Sequence, residues 1–291
     1  MTLAPRRAAS RAMFTDGPVT CVSPRGNEYA AYLGTSRFLF SNTTDTEQVY
    51  TDTTPGLMMA SNTGVVDYAV LPSGYSGIYY NLRRAPGFFD EVCYTGDGTT
   101  GRSISHNLGV TPELIILKSR NVAGTNWYVN GPFTTWSLGY PTGFLNLTDQ
   151  ISGNTTTGIK SPTSTTFVVN HPNTNSTSGG GGYVAYLFAT CPGVSKVGTY
   201  SGTGATQTIN CGFTGGARFV LIKRTDSTGD WYVWDTARGM VAGTDPSLLL
   251  NSTAAEVNAN SVYTTGVGFQ IVSTAAGINA SGGSYIYLAV A

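Results

Sequence analysis

Two histidines, His106 and His171, are all the imidazole that this 291-residue chain can bring to acid–base or nucleophilic chemistry. They lie in polar stretches, His106-Asn107-Leu108-Gly109 and Asn170-His171-Pro172. A Ser–His–Asp or Cys–His machine needs the base beside a nucleophile and an orienting carboxylate, and no spacing here supplies either. Cys21, Cys93, Cys191 and Cys211 form no CxxC pair and no zinc-like cluster with histidine. They read as ordinary thiols, because a disulfide framework is not expected at this length and cysteine density. The carboxylates to weigh for glycoside cleavage are Asp90-Glu91, Asp226, Asp230 and Asp235. Asp230 and Asp235 flank Trp231 and Trp234, a neighbourhood suited to a sugar ring, yet a matching stretch earlier in the chain carries Asn126 and Gly131 at those positions. Turn capping is the favoured role. Gly96-Asp97-Gly98-Thr99-Thr100-Gly101 fits GxGxxG, but the strand-like Arg102-Ser103-Ile104-Ser105 follows where a dinucleotide site needs a helix. The expectation is a protein that is not an enzyme, with no catalytic residue, no cofactor and no metal.

Tyr128, Tyr232 and Trp234 remain as candidates for contact with a glycan or a protein partner. They fall in Trp127-Tyr128-Val129 and Trp231-Tyr232-Val233-Trp234. In a strand, side chains alternate between faces. With Trp127, Val129, Trp231 and Val233 inward, the other three point out. An aromatic face offers apolar area with a polar tip.

The elements that would carry these residues are strands. Charged residues are 11% of the chain, against about 25% in an average soluble protein. Lys plus Arg is 16 and Asp plus Glu is 16, so the basic footprint of a nucleic-acid binder is missing. Arg6, Arg7 and Arg11 form one local cluster and read as a solvated arm. Glycine numbers 37, threonine is more abundant still and aromatics reach 11%, which suits pleated strands joined by tight turns. The first residues lack a signal-peptide apolar stretch and no run reaches 18 apolar residues. Synthesis in the cytoplasm and no membrane partner are expected. Asn-x-Ser/Thr sequons at Asn42, Asn146, Asn154, Asn175, Asn251 and Asn279 read as a by-product of composition.

An internal duplication organises the chain. Tyr94-Thr95-Gly96 matches Tyr200-Ser201-Gly202, and Ser103-Ile104-Ser105 matches Thr208-Ile209-Asn210. Leu114-Ile115-Ile116-Leu117-Lys118 matches Phe219-Val220-Leu221-Ile222-Lys223, and Asn126-Trp127-Tyr128-Val129 matches Asp230-Trp231-Tyr232-Val233. Phe144-Leu145-Asn146-Leu147 then faces Leu248-Leu249-Leu250-Asn251, Thr166-Phe167-Val168-Val169 faces Gly268-Phe269-Gln270-Ile271, and Ala185-Tyr186-Leu187-Phe188 faces Ile286-Tyr287-Leu288-Ala289. Seven blocks in one order signify a real repeat. A trace of a third copy ends at Tyr79-Tyr80-Asn81-Leu82 before Ala85-Pro86-Gly87, like Cys191-Pro192-Gly193. The first half of that region matches nothing.

The expected fold is all-β: two tandem β-sandwich-like repeat domains, 87–196 and 197–291, after a smaller, diverged β-rich N-terminal region at 1–86. Six or seven short strands per copy suit a sandwich. The apolar run Leu114–Leu117 reads as a strand covered on both faces. One short helix is expected at Thr253-Ala254-Ala255-Glu256, from a capping-box pattern.

Several segments carry a family resemblance. They are Arg83-Arg84-Ala85-Pro86-Gly87-Phe88-Phe89-Asp90, His106-Asn107-Leu108-Gly109-Val110-Thr111-Pro112-Glu113, and Ile222-Lys223-Arg224-Thr225-Asp226-Ser227-Thr228-Gly229-Asp230-Trp231. The chain from about residue 80 onward resembles an uncharacterised tandem β-domain of structural proteins in tailed phages, especially phages of marine and freshwater bacteria such as cyanobacteria. The resemblance implies a virion structural protein: a tail-fibre, tail-tip or capsid-surface component. It carries no catalytic residues. The alternative is a glycan-binding receptor module on the particle surface, and a depolymerase comes third. The implied partners are other virion proteins and a host-surface glycan, and the location is the virion. Sparse charge, few lysines to guard strand edges and apolar runs at Tyr29–Leu33 and Arg37–Phe40 lead to the expectation of a homo-oligomer, with a trimer favoured.

Overall fold

The computed structural model describes residues 12–14, 36–46, 48–50, 59–60, 65–66, 78–79, 82, 84–132, 140–154, 158–170 and 172–291. The fold is all-β. The helices among the described residues are a single 3-10 turn at Ser178–Gly180 and α1 (Ala276–Asn279). The helix expected at Thr253–Glu256 does not form: the stretch is irregular, and Glu256 instead accepts an ion-pair contact from Arg238 at 3.0 Å. A capping pattern with no apolar period behind it has nothing to propagate the first turn.

The N-terminal region contributes β1 (Ala12–Phe14), β2 (Ser36–Phe40), β3 (Gln48–Tyr50), β4 (Met59–Ala60), β5 (Val65–Val66) and β6 (Ile78–Tyr79). The first copy holds β7 (Phe89–Thr95), β8 (Arg102–Ser105), β9 (Leu114–Ser119), β10 (Tyr128–Asn130), β11 (Tyr140–Phe144), β12 (Ser152–Asn154), β13 (Thr166–Val169) and β14 (Gly182–Phe188). The second holds β15 (Ser195–Ser201), β16 (Gln207–Asn210), β17 (Phe219–Arg224), β18 (Trp231–Asp235), β19 (Pro246–Leu249), β20 (Val257–Asn258), β21 (Val262–Thr265), β22 (Gly268–Ile271), α1 and β23 (Ser284–Val290).

The two copies share one topology. The broad sheet of the first runs β7-β14-β9-β10-β11-β12, and that of the second runs β15-β23-β17-β18-β19-β20. A small sheet pairs β8 with β13 in the first copy and β16 with β22 in the second, where β21 is added. Both copies start at a Pro-Gly turn, in which the glycine takes φ +75° at Gly87 and at Gly193, the left-handed position a type II turn requires. The hydrogen bonds repeat: Phe88 and Phe89 donate to Ala85 O, and Val194 and Ser195 to Cys191 O. β15 therefore starts at Ser195, and the expected division between 196 and 197 falls inside a strand.

Strand register corrects two of the seven sequence pairings by one residue. Tyr186 sits opposite Ile116, and Leu288, not Tyr287, sits opposite the matching Leu221. Tyr128 faces Phe144 as Tyr232 faces Leu249, so Asn146 corresponds to Asn251. A one-residue slip in a strand moves a side chain to the other face. Tyr186 and Tyr287 accordingly lie in different cores. The Trp127–Trp231 pairing stands.

Three cores follow from the alternation. In the first copy Ile115, Leu117, Tyr128 and Tyr183 pack under the small sheet with Ile104, Phe167 and Val169. In the second, Val220, Ile222, Trp234 and Tyr285 do so with Val262, Phe269 and Ile271. The opposite faces meet each other: Leu114, Ile116, Trp127, Val129 and Tyr186 pack with Leu221, Trp231, Val233, Ile286 and Leu288 in one shared core. The copies are thus sandwiches fused through their broad sheets rather than separate domains in tandem. This is why Leu114–Ser119 is buried at every position.

Candidate functional site

The Trp-Tyr-Val strands are where the sequence put its surface candidates, and the structure turns them inward. Trp127 and Trp231 are fully buried in the shared core. Tyr128, expected to point out, is 8% exposed and meets Phe144 edge-on at 5.2 Å beneath the small sheet. Trp234 is 1% exposed. Tyr232 is half-buried and stacks on Trp234 at 5.7 Å, with its hydroxyl end over Gly277. The outward assignment fails because both faces of the broad sheet are covered. Tyr128 and Trp234 present no ring to a sugar.

The candidate acid–base groups are engaged in structure. His106 Nδ1 accepts the Leu108 amide at 3.2 Å, which leaves Nε2 as the donor to Thr163 O at 3.1 Å. Its ring stacks near Phe167. His171 lies outside the described residues. Asp230 accepts from Asn251 Nδ2 at 2.7 Å, and Asp235, which is buried, forms a 2.5 Å ion pair with Arg238. Five extended residues at about 3.3 Å each place their α-carbons roughly 16 Å apart, too far for two carboxyls to flank one glycosidic bond. Asp90 is tied to Arg84 and to the Asn107 amide. Asp226 binds Arg224 and the Ser284 amide.

The GxGxxG stretch connects β7 to β8, a strand-to-strand turn. Asn175 Nδ2 donates to Asp97 Oδ1 at 2.6 Å and to Thr99 O at 2.8 Å. The Thr99 hydroxyl and amide, then Asn175 and Arg102, hold the Asp97 carboxyl down to about 2. Gly96 has no room for a side chain: a Cβ there would meet Ser176 O at 2.2 Å. Among the described residues no group of three or more His, Cys, Asp or Glu converges to hold a metal ion. Cys191 and Cys211 are free, but Cys93 is disulfide-bonded. This corrects the expectation of four thiols. The crevice beside Leu114, Val197, Leu221, Trp231, Ile286 and Leu288 is too narrow to admit even a water molecule.

The sequence reading passed over a pair of buried lysines. Lys118 and Lys223 are the next-to-last residues of β9 and β17 and have no exposure. Burial pushes both ammonium groups down to about 8, against the pull of nearby Asp45 on Lys118 and of Asp230 and Asp149 on Lys223. The Lys118 Nζ donates to Thr125 O at 2.6 Å, and the Lys223 Nζ to Gly229 O and, at 3.0 Å, to Thr148 O of the first copy. The signal was present: the chain has four lysines, and two close matched apolar runs.

A second matched pair fixes the tryptophan strands. Asn146 Oδ1 accepts the Trp127 amide at 2.9 Å, and Asn251 Oδ1 accepts that of Trp231 at 2.8 Å. The outer ends of both amides are held by the residue before the tryptophan, Asn126 and Asp230.

Two copies of one β-unit, fused through a common core, define a β-repeat protein. Residues 83–291 match the model of a domain of unknown function (DUF7483), and the chain belongs to that family. The match spans both copies and starts just before the Pro86-Gly87 turn. No curated protein and no solved structure matches the chain.

Proposed function

We propose that this chain is a structural component of a bacteriophage particle, at the tail fibre, the tail tip or the capsid surface, and that it acts by assembling with other virion proteins. The observation that carries the reading is the shared core. Sixteen buried side chains drawn from both copies weld two sandwiches into one block, a construction suited to bearing load rather than to opening around a substrate. The resemblance of residues 80–291 to phage structural domains supports the same reading. Self-association, with a trimer favoured, belongs to it, since the net charge is zero and charged residues are only 11%, so copies repel one another weakly. Mass spectrometry of purified particles with immunogold labelling is the test. Labelling at one particle position is expected, and absence of the protein from intact particles overturns the reading.

A further inference from the structure

We infer that strands β1, β2, β3 and β6 belong to a third, diverged copy of the repeat, and that the surface around Lys118 and Lys223 is a recognition site for an Asn-x-Thr-Asp turn presented by the preceding copy. The inference concerns interfaces within the chain and stands independently of where the protein resides.

Register supports the third copy. Phe38 pairs with Gln48 as Thr142 pairs with Ser152 and Ser247 with Val257. Met13 pairs with Phe40 as Tyr128 pairs with Phe144 and Tyr232 with Leu249. The order β3-β2-β1 thus repeats β12-β11-β10 and β20-β19-β18. β6 lies parallel to β1. In the first full copy β10 and β14 are both antiparallel to β9 and so parallel to each other. The pairing of β1 with β6 is the same arrangement with the strand between left out.

The lock is the same at both seams. After the matched strands come Asn42-Thr43-Thr44-Asp45, Asn146-Leu147-Thr148-Asp149 and Asn251-Ser252-Thr253-Ala254. Thr148 O accepts the Gly229 amide at 2.8 Å and the Lys223 Nζ at 3.0 Å. Thr44 O accepts the Gly124 amide at 2.9 Å and the Lys118 Nζ at 3.2 Å. One threonine carbonyl therefore meets a glycine amide and a buried ammonium of the next copy, with an aspartate beside it to offset the charge. Ser41 occupies the station of Leu145 and Leu250, all buried, and its hydroxyl donates to Leu250 O at 2.6 Å. The N-terminal region thereby touches the second full copy. The third of these turns has Ala254 in place of the acid. Three of the six sequons are these turns, which gives them a role unrelated to glycosylation.

The test is amide hydrogen exchange on the full chain. Lys118→Met should speed exchange of the Gly124 amide and of residues 36–40 and 48–50 at least tenfold, with Gly229 unchanged. Lys223→Met should do the reverse. Asp45→Ala, an exposed change that leaves the cores intact, should loosen Gly124 in the same direction and by less. Free-coil exchange of residues 36–50 in the wild type overturns the inference. So does unchanged Gly124 protection in both Lys118→Met and Asp45→Ala, or equal loss at Gly124 and Gly229.

Discussion

The indole Nε1 of Trp231 donates to the backbone carbonyl of Phe144 at 2.9 Å, across 87 residues of chain. A tryptophan of the second copy is thereby pinned to a strand of the first. The bond lies at the edge of the shared core, so the ring both fills volume and fixes how the sheets sit.

Trp231→Ala should lower stability by about 3–5 kcal/mol, the usual loss for emptying a tryptophan-sized core site. Trp231→Phe keeps most of the apolar volume but leaves Phe144 O with only the longer bond from the Leu147 amide, and should cost less, about 1–3 kcal/mol. Chemical denaturation of both variants checks the order. A midpoint unchanged in Trp231→Ala would place the ring outside the core.

The asparagines that hold the tryptophan strands should behave as a pair. Asn146→Ala and Asn251→Ala each leave a backbone amide, that of Trp127 or Trp231, without its side-chain acceptor. An orphaned buried donor costs about 1–3 kcal/mol. Similar losses in thermal melts are expected, because the two side chains make the same bond in the same place.

Gly202→Ala should be strongly destabilising. A Cβ there would lie 2.1 Å from the Ala280 carbonyl oxygen and 2.9 Å from the buried Tyr285 ring, and neither can yield cheaply. Gly212→Ala provides the contrast: nothing lies within 4 Å, and only its φ of +73° resists the substitution, at a cost of about 1 kcal/mol. Melting points of the two variants should separate clearly.

Stability should rise with pH between about 8 and 9. Lys118 and Lys223 titrate near 8 when folded but near 10.5 when unfolded. In that window the unfolded chain holds more protons, so raising the pH favours the fold. The contribution is complete above 10.5 and is lost as pH falls through that value towards 8. Above about 9 the buried Cys211 thiol, pushed up to about 11, works in the opposite sense, because the unfolded chain loses that proton first. Replacing both lysines by methionine should flatten the rise, measured as urea midpoints at pH 8 and pH 9.

The sequence alone determined the β character and the duplication. Threonine, glycine and aromatic residues in short alternating runs leave no helical period, and a Pro-Gly turn before each copy marks where the chain reverses. It also argued against reading Asp230 and Asp235 as an acid pair, since their counterparts Asn126 and Gly131 are not acids. The alignment of strand ends was less legible. Leu249 and Leu250, or Tyr287 and Leu288, are equally apolar, and hydrogen-bond register alone separates them. Tertiary structure decided which face of the broad sheet was covered. Alternation told Trp231 from Trp234 but could not say that a partner sheet waits on each side. Tyr128 and Trp234 read as surface because one buried face suffices for a strand, whereas here the small sheet of their own copy covers them and the broad sheet of the other copy covers Trp127 and Trp231. The same holds for Lys118 and Lys223. A lysine near a strand end is ordinarily solvated; here Thr44 and Thr148 arrive from distant parts of the chain to join Thr125 and Gly229 as the carbonyls that allow burial.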